Sequence, residues 1–190
     1  MSLIEHISRY VELTEKEINL IKSYCKIIKV KKRQCIVQPG FICKYKSYVI
    51  KGAFKTYLVD NDGKEHTLSL AIEDWWASDY NSVVNQEPAT LFVEALENSV
   101  VIQIANDDDV LFKEIPPLER FERIIAQRSL AFHQKRLLNS LTKTAEERYN
   151  EYMDRYAAVA RRVPQYVLAS YLGISTEYLS KIRKVKPAKS

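Results

Sequence analysis

Between Val163 and Lys184 the chain reads VPQYVLASYLGISTEYLSKIRK, and its second half concentrates hydrogen-bonding chemistry. Thr176, Glu177, Tyr178, Ser180, Lys181 and Lys184 bring hydroxyl, carboxylate and ammonium groups close together. Read as a helix, this stretch buries Leu179 and Ile182 with Leu168, Leu172 and Ile174, and turns the polar groups outward. Such a face can meet the edges of base pairs: a carboxylate accepts from cytosine N4, and an ammonium donates to guanine O6 or N7. Tyr178 and Ser180 can hydrogen-bond phosphate, although Tyr178 also reads as a packing residue.

The residues before this face supply the means to present it. Pro164 suits the first turn of a helix, where its missing N–H would find no partner in any case. Ala169 is small enough for a second helix to cross closely. Four residues later Gly173 can take the left-handed conformation of a sharp corner, and Ser175 can cap the helix that follows. Small residue, corner glycine and flanking apolar positions make the pattern of a helix-turn-helix, which implies double-stranded DNA as the partner. A plain helical hairpin is the alternative, but it does not explain a polar outer face beside Arg161, Arg162, Arg183 and Lys186.

Charge points the same way. The formal net charge is +5, yet residues 117–190 hold 15 Lys+Arg against 7 Asp+Glu, while residues 1–116 carry a net −3. The basic excess is concentrated in 161–190, where seven basic residues face only Glu177. A polyanion partner accounts for that asymmetry, with Arg161 and Arg162 expected as sequence-independent phosphate contacts, and a solvated basic tail is the competing reading.

At 190 residues, 46% hydrophobic and 28% charged, the chain has ordinary globular composition and room for one large domain or for a medium and a small one. No apolar run approaches the roughly 20 residues of a membrane span, and the N-terminus is acidic and amphipathic rather than a secretion signal. The expectation is a cytoplasmic protein without membrane association. Cys25, Cys35 and Cys43 are spaced for neither a zinc knuckle nor an iron-sulfur run, and read as reduced thiols. His6, His66 and His133 are isolated from one another, which argues against haem or metal. Neither HExxH, GxSxG, GxxxxGKS/T nor GxGxxG occurs, so no enzyme is expected.

Along the chain, residues 3–28 carry apolar positions at helical spacing, with Thr14 and Glu17 in capping-box register. From Lys29 to about Ile104 the pattern changes to short β-rich runs (CIVQPG, KSYVIKGAFKTYLV, KEHTLSLAI, SVVIQIA), spaced for a compact antiparallel roll. A long amphipathic helix then covers 116–141; its apolar stripe can pack on the roll or against a second copy, and Arg128 and Lys135 interrupt a clean heptad. Thr144 and Glu147 open a further helix that runs to Arg161-Arg162.

This order of parts resembles the Crp/Fnr transcription regulators. The resemblance covers nearly the whole chain, through YVIKGAFKTYLVDNDGKEHTLSLAIEDWW, TAEERYNEY and RVPQYVLASYLGIS. It implies an α+β protein with three parts. An N-terminal antiparallel β-roll, a cupin-like jelly roll with flanking helices, spans 1–115; a dimerisation helix spans 116–141; a C-terminal winged helix-turn-helix spans 142–190. It also implies a homodimer that reads the major groove with a helix at about 175–184, with RNA polymerase as a further partner. Carried over by position from Gly173, the residues at base edges are Thr176, Glu177 and Lys181.

The resemblance fails where members of that family hold cyclic nucleotide with a Gly-Glu pair and, some ten residues on, Arg with Ser or Thr. Here Ser78-Asp79 stands near the first place and Pro88-Ala89-Thr90 at the second, and there is no Arg between Arg33 and Arg120. A buried phosphate would lack its guanidinium and meet Asp79 and Glu87, so neither cyclic AMP nor another cofactor is expected. Trp75, Trp76, Ser78, Asp79 and Thr90 remain candidates for a different, small apolar effector. Adjacent indoles on an extended segment point to opposite faces, so at most one of Trp75 and Trp76 lines an internal pocket; core and interface packing is the plainer reading. A non-DNA-binding sensor or scaffold on the same roll is the alternative function.

Overall fold

The computed structural model describes residues 2–105 and 108–185. Its elements run α1 (Leu3–Ser8), α2 (Glu15–Tyr24), β1 (Cys25–Val30), β2 (Cys35–Val37), β3 (Tyr45–Lys51), β4 (Phe54–Val59), β5 (Glu65–Ala71) and β6 (Trp76–Ala77). They continue α3 (Tyr80–Asn85), β7 (Phe92–Ala95), β8 (Ser99–Ala105), α4 (Asp108–Glu114), α5 (Pro117–Thr142), α6 (Ala145–Arg162), α7 (Gln165–Leu172) and α8 (Thr176–Val185).

Two four-stranded antiparallel sheets, in the orders β1-β8-β3-β6 and β2-β7-β4-β5, face each other as a jelly roll. Strand alternation sends one set of side chains inward and the other outward. Val49, Phe54, Ala71, Val93 and Val101 fill the interior. Outward-facing Tyr48 and Ile102 lie under α1, α2, α4 and the start of α5, with Ile7, Leu111 and Phe121 in the same cluster. On the opposite side Ala53, Leu70 and Leu96 share a core with α6, α7 and α8. The molecule is thus layered as helices, sheet, sheet, helices.

Both expected capping boxes form: Thr14 accepts from Glu17 N–H and Thr144 from Glu147 N–H, and each glutamate returns to its capping residue. The first expected helix, however, breaks into α1 and α2, and Cys25–Ile28 belongs to β1 instead. CKIIKV carries apolar residues at spacings that suit a helix, but it pairs with Ser99–Ile104. A non-local ladder here overrides a local pattern. Residues 142–185 hold α6, α7 and α8 and no strand, so the described residues contain no counterpart of the expected wing. No helix among them is long and apolar enough to cross a membrane.

Candidate nucleic-acid interface

Gly173 stands at the corner between α7 and α8 with φ +68, the left-handed conformation expected of it. Ile174 N–H donates to Ala169 O and Gly173 N–H to Ser170 O, closing the end of α7. Ser175 Oγ accepts from Tyr178 N–H at 3.1 Å, capping the start of α8. Pro164 sits one residue before α7, where its φ of −54 leads the chain into the helix. Leu168, Leu172, Leu179 and Ile182 are buried between the two helices and α6.

Thr176, Glu177, Tyr178, Lys181 and Lys184 are exposed, and Ser180 is half-buried on the same helix. Arg161 and Arg183 are also exposed; Lys186 lies outside the described residues. The Glu177 carboxyl is held below the usual range by its own backbone N–H and by the Ser175 hydroxyl. It is therefore an ionised acceptor at neutral pH.

Arg162 is engaged elsewhere. Its guanidinium donates to both oxygens of Glu73, at 2.6 and 3.0 Å, and to Glu97, so it ties the end of α6 to the roll. Two more ties lie nearby. Ser170 Oγ accepts from Thr67 N–H (2.9 Å) and donates to Glu65 O (3.1 Å), fixing α7 on β5. Arg136 of α5 donates to Thr67 O and Leu68 O of β5 and to Tyr171 O of α7. None of these long-range pairs was visible in the sequence.

In the roll, the five residues considered for an effector do not share one cavity. Trp75 packs on the roll interior and meets Tyr156 of α6 edge-on at 5.8 Å, whereas Trp76 turns to the opposite face against Tyr48 at 5.3 Å. Trp76 borders only a hollow of about 20 Å³, barely room for one water. Asp79 is buried: one oxygen caps α3 through Ser82 N–H (3.2 Å), and the other accepts from Thr90 and Leu91 N–H at 2.9 and 3.1 Å. This carboxylate takes all three N–H donors for itself. Ser78 is half-buried beside it, and the Thr90 side chain faces solvent.

Burial raises the pKa of Cys25, Cys35 and Cys43, so all three stay protonated and unreactive at neutral pH.

No protein-family model matches the chain. No curated protein matches it either. Solved structures do. The c-di-GMP responsive global regulator CLP of Xanthomonas campestris superposes with a TM-score of 0.72 at 12% identity, over 90% of this chain and 91% of that one. FixK2 from Bradyrhizobium japonicum gives 0.70 at 19% identity, over 85% and 83%. A putative Crp/Fnr-family regulator from Eubacterium rectale gives 0.70 at 16% identity, over 91% and 83%. At these identities the likeness establishes the fold, the cyclic-nucleotide-binding-like roll with helices shared by Crp/Fnr regulators.

Proposed function

We propose that the protein is a dimeric, sequence-specific DNA-binding transcription regulator of the Crp/Fnr type, not an enzyme, and that it does not respond to cyclic AMP. The observation that carries this reading is the α7-Gly173-α8 corner, which buries its apolar residues and presents hydroxyls, one ionised carboxylate and several ammonium groups to solvent. Its dimensions and chemistry suit the major groove, with Thr176, Glu177 and Lys181 at base edges and Arg161 and Lys184 at phosphates.

One such corner reads half a site. The exposed Leu130, Leu137, Leu138 and Leu141 of α5 offer a seam along which a second copy can align, giving a two-fold complex on a roughly palindromic sequence. Selection of bound duplexes from a random pool tests the reading. The expected product is an inverted repeat with half-sites about one helical turn apart, bound with a steep salt dependence. Glu177→Ala then relaxes discrimination at one base pair by about 1–3 kcal/mol. Recovery of no sequence above background would leave the sensor or scaffold reading in its place.

A further inference from the structure

Where α5, α6 and α7 converge, they line an open cleft of about 450 Å³, within the range of small-molecule sites. Its wall is a run of aromatic rings in mutual contact. Phe132 meets Tyr156 at 6.3 Å, Tyr156 meets Tyr152 at 5.3 Å, and Tyr152 meets Tyr171 at 5.2 Å.

The polar lining is unbalanced. Glu151 is shared by Lys143 (2.6 Å), Lys135 (3.3 Å) and Arg155 (3.7 Å). Arg136 and Arg148 border the same space, and among the described residues neither meets a carboxylate. Arg148 donates to Leu172 O and Lys143 O, and Arg136 spends three of its five N–H donors on carbonyls while stacking 4.1 Å over Tyr171. Four cations, Lys135, Arg136, Arg148 and Arg155, thus line the cavity with one carboxylate, Glu151, which also pairs with Lys143 outside the lining. The carbonyls at the ends of α5 and α7 offset part of that charge through their partial negative character, but they bring no full anion. Burial lowers the pKa of Arg136, and burial with Arg136 lowers that of His133, as expected where positive charge lacks a counterion.

We propose that this cavity binds a small aromatic carboxylate, whose charge is met by the guanidinium groups of Arg136 and Arg148 and whose ring lies against Tyr152, Tyr156 and Phe132. Planar guanidinium donors suit a carboxylate, and the ring wall suits a flat body of one or two rings. The site stands apart from the roll interior. Because Arg136 also holds Thr67 and Leu68 of β5 and Tyr171 of α7, an occupant bears on how the helical module sits against the roll. Only this last consequence rests on the DNA-binding reading; occupancy of the cavity does not.

Isothermal titration of the full chain with 2-naphthoate and with neutral 2-naphthamide, in the absence of DNA, tests the site. The expected result is binding of naphthoate at least about tenfold tighter than of the amide, with about a tenfold loss for naphthoate in Arg136→Gln and none for the amide. Should Arg136→Gln lose its cooperative unfolding, Arg155→Gln serves instead. Its side chain is half exposed at the rim, and the expected loss is about threefold. Equal binding of acid and amide, absence of naphthoate binding up to about 5 mM, or unchanged affinity in the folded variants would overturn the proposal and leave these cations as caps for helix C-termini.

Discussion

The start of α3 in the roll and the cavity among α5, α6 and α7 are two answers to the problem of unpaired charge. In the roll, one carboxylate, Asp79, is matched to three backbone donors and sealed from solvent. In the helical module, two guanidinium groups border open space and, among the described residues, meet carbonyls and the Tyr171 ring but no carboxylate. The first site is satisfied by the chain itself. The second is where the proposed aromatic carboxylate would supply the missing anion. The lesson is that one chain can seal a charge with its own backbone in one layer and leave charge facing solvent in another.

The largest effect that would break this contrast is at Asp79. Asp79→Ala strands three N–H groups in or near the core, and the expected cost is about 3 kcal/mol, read as a lowered urea midpoint. A loss below about 1 kcal/mol would mean that the site is not sealed. Gly173→Val comes next: the left-handed backbone penalises a branched side chain by about 2 kcal/mol, although open space surrounds the position. The loss should fall on protection of α7 and α8 amides from hydrogen exchange and leave the roll strands unchanged.

A smaller effect distinguishes Arg162 from Arg161. Its hydrogen bonds hold the Glu73 carboxyl down to about 2, against an ordinary 4.5. A carboxyl depressed by folding adds stability above pH 4.5 and loses it as pH falls toward 2, so the native chain should weaken over that window more than Arg162→Gln does. With both side chains about a third exposed, the difference should stay near ~1 kcal/mol or less in urea midpoints compared across pH. On DNA the order reverses: Arg161→Ala should flatten the salt slope by about 0.9, and Arg162→Ala by much less. At the far end of the scale, millimolar cyclic AMP should leave the melting temperature unmoved, where a ligand at 100 times its Kd would add about 2.7 kcal/mol.

Much of this was legible in the sequence because it is local. Ala169, Gly173 and Ser175 specify a corner within seven residues, and the capping boxes at Thr14 and Thr144 need only four each. The opposite facing of Trp75 and Trp76 follows from the alternation of an extended chain. What escaped was non-local. Cys25–Ile28 looked helical until Ser99–Ile104 offered a ladder, and Arg162 looked like a phosphate contact with Glu73 and Glu97 far away in the chain. Asp79 was legible as a charge but not as the anchor of the Thr90-Leu91 backbone, since those donors follow α3 in the chain.

The docking of α7 on β5 sets a delay during synthesis. Ser170 bonds to residues 103 and 105 positions earlier, so at about 5–20 residues per second the ribosome makes β5 some 5–20 s before its cover. For that interval Ala53, Leu70 and Leu96, an apolar patch in the finished molecule's interior, face solvent or a chaperone. A message broken before codon 145 would lack α6, α7 and α8 together and leave the patch bare, and the truncated roll is expected to aggregate.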